Sequence, residues 1–153
     1  MTRDVRLLHP ARLAVAALAA TSTLAGAHDP VSIRGMAERQ VGEQVAAWNR
    51  GDLDGALASY CPSADIMWVN ASGISRGFEP FQRSMRTMFG GGQERMGRLD
   101  IAVQEVRLFG DGSNLTIVRW SITRGTMRLM GGVSTQLWAD CDGRMRIVFE
   151  HSS

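Results

Sequence analysis

From Leu99 onward the sequence is one strand-length segment after another, and no other feature limits the fold as tightly. "LDIAVQEVRLF" (99–109) leads through "GDGSN" into "LTIVRWSITR" (115–124). "LMGGVSTQLWAD" (129–140) leads through Asp142-Gly143 into "RMRIVFEH" (144–151). β-Branched and aromatic residues fill these runs, and glycine- or asparagine-bearing turns separate them, which predicts four long antiparallel strands. Gly131-Gly132 predicts a β-bulge within the third. Such a sheet has one apolar face to bury, and the upstream chain must cover it.

The upstream chain supplies helices. Ile33, Met36, Val41, Val45 and Trp48 predict one helical stripe. Gly51 suits the left-handed residue after that helix, and Asp52 the N-cap of the next. The second helix carries Leu53, Ala56, Leu57 and Tyr60 and is closed by Pro62. "ADIMWVN" (64–70) reads as a strand, "ASG" as a turn and "ISRG" as a short return. A third helix has Pro80 in its first turn, a stripe of Phe81, Met85, Met88 and Phe89, and "GGG" (90–92) at its end. Helices gathered on one face of a mostly antiparallel sheet define an α+β fold.

The first 27 residues read differently. Arg3, Arg6 and Arg12 precede an uncharged stretch, "LAVAALAATSTLAG" (13–26), and Ala25-Gly26-Ala27 has the small-x-small form of a cleavage site. This is the layout of a secretory signal peptide, so the expected product is one domain, 28–153, beginning at His28 and periplasmic or secreted. That product holds 14 arginines and 14 acidic residues. A neutral domain without a cationic run suits neither nucleic acid nor a membrane surface. Lysine is absent, which excludes Schiff-base chemistry. Cys61 and Cys141 have no metal-ligand spacing, and a single histidine in the body of the domain makes no zinc site, so no metal or cofactor is expected.

The order of elements and four local signposts resemble the nuclear transport factor 2-like superfamily, and within it the SnoaL-like and ketosteroid-isomerase-like small domains. The resemblance rests on "AAWNRGDLDGALASYCPSADIMWV" (46–69), "SRGFEPFQRSM" (75–85) and "DGRMRIVFEHSS" (142–153). It implies a cone-shaped, curved six-stranded mixed sheet with three helices on its concave side, enclosing an apolar pocket. It also places the last strand beside the first. Cys61 and Cys141 each lie three residues before strands that the resemblance sets side by side, which implies a disulfide between them; two buried thiols are the alternative. The expected partners are a small apolar molecule and a second copy of the chain.

Strand alternation groups Met145, Ile147, Phe149 and His151 on one face and Arg146, Val148 and Glu150 on the other. The first set is apolar and is expected to face inward, with His151 at the mouth as an acid/base group or as a tie for the chain end. Asp65 is a second candidate acid, or a turn carboxylate. Trp48, Tyr60, Trp68, Met85, Phe89, Trp120 and Phe149 are candidate ligand-binding residues. Ketosteroid isomerases carry their proton-abstracting acid near the end of the first strand, where this chain has Trp68-Val69-Asn70. Three functions follow: a binder of a small apolar molecule, a cofactor-independent acid/base enzyme, and a dimerising module without ligand.

Overall fold

The first long helix is set by a line of buried residues rather than by the large apolar ones alone. A computed structural model describes residues 30–153; the expected signal peptide and His28 lie outside the described residues. Helix α1 (Pro30–Asn49) buries Ile33, Ala37, Val41, Gln44 and Trp48, whereas Met36 is 44% exposed. The expected stripe through Met36 is thus rotated, because small Ala37 lets the helix approach its neighbours. Asn49 fastens the end of α1 to the sheet, its amide donating to Leu99 O and its oxygen accepting from Leu99 N, both at 2.8 Å. Gly51 turns the chain at φ 79°, and Asp52 caps α2 (Leu53–Leu57) by accepting from Gly55 N at 2.8 Å.

Strands β1 (Met67–Asn70) and β2 (Gly73–Arg76) form a hairpin, and α3 (Phe78–Phe89) follows. A one-turn helix, α4 (Gln93–Met96), comes next; the glycine run was expected to end the helical region outright. Then come β3 (Arg98–Leu108), β4 (Asn114–Arg124), β5 (Met127–Cys141) and β6 (Arg144–Ser152). The six strands make one mixed sheet in the order β2-β1-β6-β5-β4-β3, with β6 parallel to β1 and all other pairs antiparallel. The last strand therefore does lie beside the first. Helices α1, α2 and α3 supply side chains to a core shared with the sheet, centred on Trp48, Leu57, Phe81, Val118, Trp138 and Ile147.

Three register shifts bend this sheet, since a bulge adds a residue to one strand and increases local twist. Gln104 is the extra residue in β3, Leu129 in β5 and Val148 in β6. Pairing is regular through Gly131 and Gly132, so the bulge expected there falls at Leu129 instead. The glycines serve close approach: a Cβ on Gly131 would lie 2.6 Å from Trp120 O, and one on Gly132 would overlap the Ser153 backbone oxygen. That clearance lets Val133 and Ser153 exchange two backbone hydrogen bonds of 2.9 Å.

Cys61 and Cys141 form a disulfide, with Cα atoms 5.9 Å apart. It ties to the end of β5 a short extended piece of chain that pairs with β6. In that piece Cys61 N donates to Ile147 O at 2.9 Å and Ile147 N donates to Ser59 O at 2.8 Å. Tyr60, between them, bridges to Ile147 in parallel fashion. The disulfide and this bridge hold Tyr60 in place from behind.

Candidate functional site

The Val148 bulge decides which side chains of β6 face the helices. Trp138 pairs with Ile147, but the next residue on β5, Leu137, pairs with Phe149. Alternation therefore resets. Ile147 points inward before the bulge, and Glu150 and Ser152 point inward after it, opposite Gln136 and Ser134. The bulge sits where β6 exchanges one parallel neighbour for another, the Ser59–Cys61 piece at Ile147 and β1 at Phe149.

The inward face of the sheet and helices α1, α2 and α3 enclose a cavity of about 420 Å³. Its deep wall is apolar and fully buried, with Leu57, Phe81, Val118 and Ile122 all at or below 3% exposure. Its rim is exposed and formed by Ala71, Ser72, Met88, Met130 and Ser153. Aromatic rings fix one another along the sides. Trp48 meets Phe89 edge-on at 4.9 Å, and Phe81 lies 4.7 Å from Tyr60 and 5.1 Å from Trp68.

One wall is polar. Glu150 is 6% exposed and accepts three hydrogen bonds. Tyr60 Oη donates to Oε2 at 2.5 Å, Gln136 Nε2 to Oε2 at 3.2 Å, and Ser152 Oγ to Oε1 at 2.9 Å. Behind these donors stand others. Trp138 Nε1 donates to Gln136 Oε1 at 3.2 Å, and the Ser134 and Ser152 hydroxyls lie 2.7 Å apart. Because Ser152 spends its proton on Glu150, Ser134 is the donor of that pair. Burial, then the charge of Glu150 and the hydrogen bond to it, push the Tyr60 hydroxyl well above its ordinary value of 10.0; the Gln44 amide acts the other way. Tyr60 is thus a fixed proton donor at neutral pH, and the carboxylate is held in one orientation.

Among the described residues, two polar atoms on the lining have no partner. Gln44 Oε1 and Trp120 Nε1 are both buried and make no hydrogen bond. Buried polar atoms are rarely left so.

Of the residues singled out from sequence, Trp48, Tyr60, Trp68, Met85, Phe89 and Trp120 line the cavity. Phe149 does not; it pairs with Leu137 and Met67 on the outer face of the sheet. His151 is a correction as well. It is exposed on the same outer face, paired in register with Thr135 and Val69, and its ring makes no hydrogen bond among the described residues. Both expected roles, cavity group and chain-end tie, are excluded by that position. The cause is Val148, which shifts the alternation by one. Asp65 is exposed in the turn before β1, outside the cavity lining. Glu150, Gln136 and Gln44 were not anticipated. Gln44 did carry a signal, as the one polar residue in the buried line of α1.

This architecture has solved counterparts. An NTF2-like protein of unknown function from Shewanella oneidensis MR-1 superposes with a TM-score of 0.72 at 24% identity, over 78% of this chain and 98% of that one. An NTF2-like protein of unknown function from Pseudomonas putida KT2440 gives 0.61 at 16% identity, over 80% and 87%. An NTF2-like superfamily protein from Salmonella enterica serovar Typhimurium LT2 gives 0.58 at 14%, over 82% and 92%. No protein-family model matches the sequence, and no curated protein does. The chain has the nuclear transport factor 2-like fold, an α+β cone with an open six-stranded mixed sheet.

Proposed function

We propose that this protein binds a small, largely apolar molecule inside its cone, outside the cytoplasm. The observation that carries the reading is the cavity itself. About 420 Å³ of space lies between aromatic walls and ends at an oriented, buried carboxylate. That volume falls within the roughly 300–1,000 Å³ usual for small-molecule sites, which combine apolar walls with a few placed polar groups. A module without ligand would fill such a space with its own side chains. The Cys61–Cys141 disulfide supports an oxidising compartment, as does the leader-like composition of residues 1–27. Mass spectrometry of the protein purified without denaturant tests the reading. A stoichiometric small molecule, displaced by Trp120→Ala or Phe89→Ala, is expected; an empty protein that also fails to bind apolar dyes would overturn it.

A second reading is favoured by the convergence of Tyr60 and Glu150 at 2.5 Å in the cavity. A carboxylate base beside a hydroxyl donor can move a proton on a bound molecule without a cofactor. Incubating the bound molecule with the protein in heavy water distinguishes the two. Exchange of a carbon-bound proton that disappears in Glu150→Gln supports catalysis, and no exchange leaves a binder.

The proposal extends to assembly. Leu115, Leu137, Phe149 and Met67 form a half-buried apolar row across the outer face of four strands, a surface suited to a second copy of the chain. Sedimentation should show a dimer that Phe149→Glu dissociates; a monomeric wild type would refute it.

A further inference from the structure

Glu150 is a buried acid without a counter-charge. Among the described residues it takes part in no ion pair, and every salt bridge is formed by exposed side chains. Among the described residues the cavity lining contains no arginine, lysine or histidine, and Glu150 is the single charged side chain on it. Buried charges are ordinarily paired, because their desolvation is otherwise uncompensated. The three donors to Glu150 are all neutral, namely Tyr60, Gln136 and Ser152.

Beside Tyr60 the unused hydrogen-bonding capacity is that of acceptors. Oε2 of Glu150 accepts two donors, but Oε1 accepts only Ser152, so one acceptor position is open there. Gln44 Oε1 is a second buried acceptor with nothing to accept, and Gln44 is 8% exposed. The Gln44 amide and the Glu150 carboxylate flank the same Tyr60 hydroxyl. Around them stand six aromatic rings, those of Trp48, Tyr60, Trp68, Phe81, Phe89 and Trp120. Ring faces attract cations beyond the packing they give a neutral group of the same size.

Resting on the reading that the cavity binds a small molecule, we infer that its occupant is a lipophilic amine, held as the ammonium against Glu150 and Gln44 among these rings. An ammonium brings several N–H donors and the missing charge together. A carboxylate or phosphate ligand would meet Glu150 with like charge and find no cation. The apolar body of the amine fills the space over Leu57, Val118 and Ile122. Trp120 Nε1, an unmet buried donor on the lining, then takes an oxygen elsewhere on the molecule.

Three probes sharing one apolar frame test this on the full chain with its disulfide intact. Phenylbutylamine, phenylbutanol and phenylbutanoate are titrated at neutral pH against a cavity-bound apolar dye. The amine should displace the dye about tenfold more tightly than the alcohol, the scale of one charge-assisted hydrogen bond, and the carboxylate should not compete. In Glu150→Gln the amine and alcohol should converge; in Gln44→Met, which keeps the carboxylate, the amine should still win by a smaller margin. The wild-type series stands alone if Glu150→Gln does not fold. Alcohol binding as tightly as amine would overturn the inference and leave the cavity reading intact. Failure of all three to displace a bound dye would also overturn the inference, whereas a protein that binds no dye at all would remove the cavity reading with it.

Discussion

Tyr60 and Glu150, 90 residues apart in sequence, meet in a hydrogen bond of 2.5 Å inside the cone. Neither residue reaches the other by local structure. Tyr60 is placed by a piece of chain that pairs with β6 at Ile147 and is tied to the end of β5 by the Cys61–Cys141 disulfide, and Glu150 is turned inward by an extra residue at Val148. The contact is therefore a sensitive reporter of the whole site. Tyr60→Phe should cost about 1–3 kcal/mol, the range for removing a hydrogen bond to a buried charged group. Chemical denaturation with and without the substitution measures this.

Alkaline titration gives an independent check on the same pair. The folded protein holds the Tyr60 proton well above the ordinary value of 10.0, while the unfolded chain releases it near that value. The stability associated with the protonated hydroxyl is fully present below about pH 10. It is lost above, at up to about 1.4 kcal/mol per pH unit. Tyr60 is the single tyrosine in the sequence, so tyrosinate absorbance reads it alone. That absorbance should appear only with unfolding; tyrosinate forming near pH 10 in the folded protein would contradict the buried pairing.

Reduction of the disulfide should act on stability and site together. Closing a loop of 80 residues contributes about 4.5 kcal/mol in the chain-entropy account. The double variant Cys61→Ser/Cys141→Ser should lose about that much and bind apolar dyes more weakly, because Tyr60 is freed on one side. Thiol titration of the denatured, unreduced protein should find no thiol.

His151 supplies a negative control. Its ring is exposed and makes no hydrogen bond among the described residues, so His151→Ala should leave ligand binding unchanged and protomer stability within about 0.5 kcal/mol. A large loss of binding would place the site elsewhere.

The sequence makes the long elements legible and hides the phase of one strand. The order of helices and strands, one-turn α4 aside, the hairpin turns and the cap at Asp52 all depend on neighbours within a few residues, and these are where the pattern puts them. The inward face of β6 does not depend on neighbours. Val148 is a β-branched residue in an apolar run, with nothing local to mark it as extra. It becomes a bulge because β6 must match two successive partners, at Ile147 and at Phe149. That single residue moved the candidate site from His151 to Glu150. Gln44 was legible in principle, since a polar side chain between Val41 and Trp48 interrupts the buried line of α1.

Gln44 also yields the sharpest separation of stability from function. Its Oε1 is buried without a partner, an arrangement that costs folding energy in the empty protein. Methionine has the same unbranched length, a comparable volume and good helix propensity, so it can occupy the position without strain. Gln44→Met should leave the empty protein as stable as before or more stable by up to about 1 kcal/mol, even though Tyr60 loses the amide beside its hydroxyl. A ligand that donates to Gln44 should bind several-fold more weakly to the variant. Thermal unfolding with and without ligand reads both effects in one experiment. If Gln44 is merely a core residue, the substitution will instead leave the ligand-induced shift in melting temperature unchanged.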